Sequence, residues 1–274
     1  MILETIHTNA ILKELRTEGH SPLLVLGSDY DMYVAKNDKG KEPPFALINE
    51  CLAAYCLNRW QIATPHVKLI TIANELITAQ NNLSLNHRPH YYHIPCFGSK
   101  FINNAIDVNT FLITDKKKAY KKIVNPLDVC HITLFDTWVE NDDRKPTNYN
   151  LILEPDNNRF KILPIDNAFI FSTMSYENLN QEFVAVSDND HLLVSDLGYL
   201  IKKHTTIDTN FINNERDYFY LCLKRCQQDF DNFMNQVIGF YNIDSDLVAS
   251  LQEFLFSRER NTKVFDEYVY RLQQ

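Results

Sequence analysis

Glycine is scarce in this sequence, with six in 274 residues. The backbone therefore has few positions that can approach a phosphate closely, and a loop with several glycines is not part of the pattern. The six cysteines, Cys51, Cys56, Cys96, Cys130, Cys222 and Cys226, include no Cys-x-x-Cys pair. Zinc ribbons and thioredoxin-type motifs are unsupported for that reason. No run of about 18 apolar residues occurs, so no membrane span is expected. The opening stretch, MILETIHTNAILKEL, has charges among its apolar residues and does not read as a signal peptide. Excess positive charge is missing as well: the net charge is −8, and direct nucleic-acid binding is not expected. Lys116-Lys117-Lys118 with Lys121 and Lys122 is the local exception and reads as a solvated helix face. Low-complexity segments and internal repeats are absent, and apolar residues at 45 % can fill a sizeable core. A cytoplasmic protein of one large domain or two packed lobes is expected.

What is present changes character along the chain. Residues 2–18 have apolar positions at Ile2, Ile6, Ala10, Ile11 and Leu15, which predicts a helix stopped at Gly19. Residues 22–37 predict two short strands about the turn Gly27-Ser28-Asp29. Pro43 and Pro44 lead into a helix over 45–59. Strands are expected over 66–72 and 90–97, with a short helix or irregular excursion between them. His87, His90 and His93 have metal-like spacing only on a helix, and the expected strand with Pro89 argues against such a site. Residues 126–140 predict a buried helix, on which His131 reads as a supporting histidine. A polar loop, NDDRKPTNYN, follows at 141–150. Two strands then turn at Pro155-Asp156-Asn157-Asn158, and helices run from about 193 to the end. The strand-rich part gives way to the helical part near 100–110.

Chemistry concentrates in 141–171. Asn148 lies five positions after Asp143, and the hairpin should return Asp166 beside Asn148. Three oxygen-bearing side chains would then converge at one end of a hairpin. Magnesium is bound through one or two protein oxygens plus phosphate and water, which suits Asn148 and Asp166. An acceptor hydroxyl must lose a proton, which suits Asp143, with Asp142 as the other candidate. Upstream, Tyr33-Val34-Ala35-Lys36 ends a strand in a lysine, and the next helix has Asn49-Glu50.

The spacing Asp-x-x-x-x-Asn, hairpin, Asp resembles the protein-kinase catalytic loop and metal aspartate. The order Asp143-Arg144, the second asparagine Asn150, the run Asp166-Asn167-Ala168-Phe169 and the pair Asn49-Glu50 resemble HipA-like kinases more than eukaryotic-type ones. Phosphatidylinositol-kinase-like enzymes have a similar loop. The resemblance covers roughly 22 to 171 and implies an α+β, two-lobed protein-kinase-like fold. A strand-rich N-lobe is expected over 1–105 and a mainly helical C-lobe over 106–274. No counterpart of the extra N-terminal domain of longer HipA toxins is expected. The implied function is ATP- and Mg2+-dependent phosphoryl transfer to a protein serine or threonine. Asp143 is the implied base, Lys36 and Glu50 the phosphate-positioning pair, and Asn148 and Asp166 the metal ligands. Gly27 and Ser28 are expected at the nucleotide phosphates. A small-molecule or lipid acceptor, or a silent nucleotide-binding scaffold, are the alternatives.

Overall fold

The computed structural model describes residues 2–16, 21–39, 45–115, 118–179, 184 and 190–274. Gly19, Pro43, Pro44, Lys116 and Lys117 lie outside the described residues.

Five strands close into a barrel in the order β1-β2-β3-β5-β4. They are β1 (Thr5–Glu14), β2 (Leu23–Gly27), β3 (Met32–Lys36), β4 (Val67–Thr71) and β5 (Cys96–Lys100). β1 runs parallel to β4, and the other pairs are antiparallel. Ile11, Leu23, Val25, Tyr33, Ala35, Ile70 and Cys96 fill the barrel. Alternation along β2 and β3 sends one set of side chains inward, and closure leaves no open edge.

The helix expected over 2–18 is a strand in the structure. β1 is rich in β-branched residues, Thr5, Ile6, Thr8 and Ile11, which suit a pleated surface. Its pairing with β2 slips between Thr8 and Ala10 and again between Ile11 and Lys13. Each bulge adds one residue and shifts the inward face. Two such slips turn a period of two into a spacing that imitates a helix. The strand expected over 90–97 is also displaced. Pro89–Tyr92 form a 3-10 turn with proline at its start, and β5 begins only at Cys96. Proline has no N–H to give a ladder and fixes φ for a turn.

α1 (Ala46–Arg59) follows β3, and α2 (Asn74–Thr78) follows β4. After β5 come β6 (Ile106–Asp107), α3 (Val108–Asp115), α4 (Ala119–Lys122) and α5 (Asp128–Val139). The hairpin β7 (Leu151–Asp156) and β8 (Arg159–Pro164) joins β6 in a three-stranded sheet. Its turn is only Asn157-Asn158, with Asn157 at φ 56°, the left-handed geometry of a two-residue hairpin loop. The remainder is helical: α6 (Asp196–His204), α7 (Thr209–Gln228), α8 (Phe230–Tyr241), α9 (Ser245–Phe256) and α10 (Arg258–Gln273). Among the described residues, no helix is long and apolar enough to cross a membrane.

α1 is buried on nearly all sides, and its core is shared with the later helices. The Tyr55 hydroxyl donates to the Cys226 carbonyl at 2.7 Å, and the Tyr218 hydroxyl donates to the Trp60 carbonyl at 2.7 Å. Arg59 pairs with Asp229 at the start of α8. Trp60, capping α1, stacks on Trp138 of α5 with ring centroids 5.4 Å apart. α1 is thus fixed between the barrel and the helices.

Candidate active site

A cavity of about 290 Å³ opens between the barrel, α1 and the end of β8. Val34, Ala54, Val67, Phe97 and Ile152 contribute to its apolar walls, and Lys36, Glu50 and Asp166 gather in the same cavity. An apolar slot with a few convergent polar groups is the usual form of a small-molecule site.

Lys36 is the last residue of β3, and Glu50 lies in the second turn of α1. The Lys36 ammonium donates to Glu50 Oε1 and to Asp166 Oδ1, the latter at 2.8 Å. Burial works against the charge on Lys36, but the Glu50 and Asp166 carboxylates outweigh it and push its pKa up. Glu50 Oε2 accepts from the backbone N–H of Asn167 at 3.1 Å. Asn49 works beside it: its amide donates to the Ala168 carbonyl at 2.8 Å and accepts from the Tyr176 hydroxyl at 2.6 Å. The Asn49-Glu50 pair therefore grips the backbone on the C-terminal side of Asp166.

Asp166 has φ 56°, a conformation that short polar side chains tolerate better than bulky ones. The chain bends there, directly after β8. The hairpin register continues past its last ladder pair, since Ile165 N–H donates to the Asn150 carbonyl at 2.9 Å. Asn148 and Asp166 consequently flank one end of the hairpin. Asn148 donates to Asp143 Oδ1 at 3.1 Å, and Asn150 donates to Asp143 Oδ2 at 2.8 Å. Two amides hold one carboxylate and fix its orientation. The Asp142 carboxyl has its pKa raised, first by partial loss of solvent around it and then by the neighbouring Asp143 and Asp190 charges.

Arg144 supports this loop from beneath. It is 1 % exposed and donates to Asp136 Oδ1 at 2.6 Å, to the Ile165 carbonyl at 2.9 Å and to Asn167 Oδ1 at 2.8 Å. One guanidinium thus ties α5 to both residues flanking Asp166. Burial pushes the Asp136 carboxyl up to about 6, against the pull of Arg144, Asn141 and Arg271. The Asp-Arg spacing flagged Arg144, but Asp136 and Asn167 had no distinguishing signal as its partners.

Gly27 and Ser28 are not in this cavity. Gly27 ends β2 and Ser28 follows it, whereas Leu23 at the strand's other end pairs with Ala35 beside Lys36. A side-chain carbon at Gly27 would meet Ile6, Asp29 and Tyr33 instead. Neither residue lines the cavity that holds Lys36. With β1 expected to be a helix, the β2–β3 turn reads as the first hairpin of the chain, and in the structure it is the second. Leu15 and Pro22, on either side of the β1–β2 connection, line the wall and are joined by Leu15 N–H to the Pro22 carbonyl at 2.8 Å.

The side chains gathered here are of the types that bind phosphate and a hard cation. Asp166 has Oδ1 held by Lys36 while 41 % of its side chain is exposed. Asn148 turns its amide nitrogen toward Asp143, which directs its oxygen away from that carboxylate. An amide oxygen and a carboxylate suit magnesium, which needs few protein ligands when phosphates complete its shell.

Among families, the profile described as HipA-like kinase matches residues 9–206. Among solved structures, a proinflammatory kinase of Helicobacter pylori, CtkA, superposes with TM-score 0.54 at 14 % identity. The alignment covers 98 % of this chain and 99 % of that one. This likeness shows the fold. A Golgi casein kinase bound to Mn/ADP gives TM-score 0.44 at 11 % identity, covering 98 % of this chain and 73 % of that one. No curated protein matches the sequence.

Proposed function

Because the chain belongs to the HipA-like kinase family, we propose that it transfers the terminal phosphoryl group of ATP, with Mg2+, to a serine or threonine hydroxyl of a protein. The observation that carries this reading is Lys36, held at once by Glu50 of α1 and by Asp166 after β8. Residues 1–105 form an N-lobe and 106–274 a C-lobe in this reading, with nucleotide between them. The cytoplasm is the proposed location.

Each residue then has a task. Lys36 contacts the nucleotide phosphates, and Glu50 keeps its ammonium pointed into the cleft. Asn148 and Asp166 hold the metal ion. Magnesium, when bound, offsets the charge that spreads over the transferred group. Asp143, oriented by Asn148 and Asn150, accepts the proton of the acceptor hydroxyl. Asp143 is favoured over Asp142 because the two asparagine amides already aim it at the hairpin end.

Labelled ATP with magnesium and a panel of protein, peptide, lipid and small-molecule acceptors tests this. Protein acceptors should be labelled, and Asp143→Asn or Asp166→Asn should lower turnover by at least ~100-fold. Wild-type turnover in both variants would remove the site assignment. Labelling confined to lipids or metabolites would replace the acceptor class.

A further inference from the structure

The last helix reaches the base of the catalytic loop through one buried side chain. Arg260 of α10 is 0 % exposed. Its Nη2 donates to the Trp138 carbonyl at 2.9 Å and to Glu140 Oε1 at 3.1 Å. Its guanidinium lies over the Phe254 ring, 3.6 Å from the centroid. Trp138 is in the last turn of α5, where carbonyls have no partner within the helix. Glu140 caps that helix in the left-handed region, at φ 50°, and is 3 % exposed. A carboxylate so buried needs a cation beside it, and Arg260 is that cation.

Glu140 is also a junction. Asn141, Asp142 and Asp143 follow it directly. Its carbonyl accepts from the Ser172 N–H at 2.9 Å. Ser172 lies in a turn of three successive left-handed residues, Phe171, Ser172 and Thr173, six residues beyond Asp166. Positive φ at three non-glycine residues persists only where surroundings enforce it. Phe171 is fully buried against Tyr176 and Phe254, and Phe254 is the ring under Arg260. The loop carrying Asp143 and the segment following Asp166 thus converge on Glu140, and Arg260 holds Glu140.

We propose that Arg260 is a positioning residue for phosphoryl transfer, fixing from α10 the relative placement of Asp143 and Asp166. It touches neither nucleotide nor acceptor. The proposal rests on the reading of Asp143 as base and Asp166 as metal ligand.

Three variants test it in the full chain. Arg260→Met keeps bulk over Phe254 and removes the cation. Arg260→Lys keeps the charge but not the planar fork. Leu272→Ala, on the same helix and 2 % exposed, removes packing alone. Arg260→Met should lower kcat about 10- to 100-fold with KM for ATP within about two-fold, because misplacement of reacting groups costs turnover. Arg260→Lys should recover part of that loss. Leu272→Ala should lower Tm and leave kcat within about two-fold. Hydrogen exchange at 141–150, which needs no activity, should quicken in Arg260→Met and not in Leu272→Ala. Unchanged exchange there in Arg260→Met, or an equal kcat loss in Leu272→Ala, overturns the proposal. If Arg260→Met does not fold, Glu140→Gln, which keeps the acceptor without the charge, takes its place in both measurements. If wild type and Asp143→Asn are equally inactive, the kinase reading has failed, and exchange alone still decides the role of Arg260.

Discussion

Lys36 stands between two carboxylates supplied from distant parts of the chain. With its pKa raised, it stays charged across the neutral range, as the proposed contact with phosphate requires. Glu50 has a double duty, since its second oxygen holds the Asn167 N–H. Glu50→Gln separates the two, because an amide oxygen can still accept from Asn167 but no longer offsets Lys36. We expect turnover to fall ~10- to 100-fold, as for loss of one preorganised electrostatic contact. ATP binding should weaken only a few-fold. Steady-state kinetics with ATP titration measures both, and unaltered turnover would mean that Glu50 does not orient Lys36. Residues of this kind were legible because their type and spacing carry chemistry. Asp136, Arg144 and Arg260 were not legible as buried, since Ser257-Arg258-Glu259-Arg260-Asn261 reads as an ordinary polar helix start. Nothing in a string of letters distinguishes a guanidinium at 0 % exposure from one in water.

Elements were legible where their local signals agree with one another. β2, β3, α1 and the β7–β8 hairpin follow simple rules, and their predicted positions agree with the structure. β1 was not legible as a strand because two bulges scramble its alternation. α5 offers a test at this level. His131, expected to be a supporting histidine, faces Glu215 of α7 at 3.2 Å and Asp128 at 3.9 Å, with the Tyr218 ring stacked 4.0 Å away. Burial opposes its charge, but the two carboxylates prevail and raise its pKa to about 9 from 6.5. The folded state therefore binds the proton more tightly than the unfolded chain. The stabilisation is complete below about pH 6.5 and is lost as pH rises through about 9. Its size is at most about 3 kcal/mol. Thermal melts at pH 6 and pH 9.5 should differ less for His131→Gln than for wild type. An identical difference in both would show that α5 and α7 are not joined through this charge.

The whole chain is held together by the way α1 is shared. It carries Glu50 to the cleft, yet its far end lies among α5, α7 and α8. Leu69 of β4 and Phe97 of β5 join the same apolar cluster as Trp60 and Trp138. Barrel and helices should consequently unfold as one cooperative unit, although chains of this size often split into separately melting parts. The two tryptophans report on the junction directly, because the chain has only two and both are fully buried there. Tryptophan emission and far-UV circular dichroism should trace the same denaturant transition. Saturating ATP with magnesium should move both traces together, by about 2.7 kcal/mol at 100 times the dissociation constant. The shift must appear in the tryptophan signal although no tryptophan lines the cleft. That follows only if a ligand bound beside Lys36 and Glu50 stabilises α1, and through α1 the helices behind it. Two separate transitions, or a nucleotide shift confined to one signal, would mean that α1 belongs to one part alone and does not couple the cleft to the remainder of the fold.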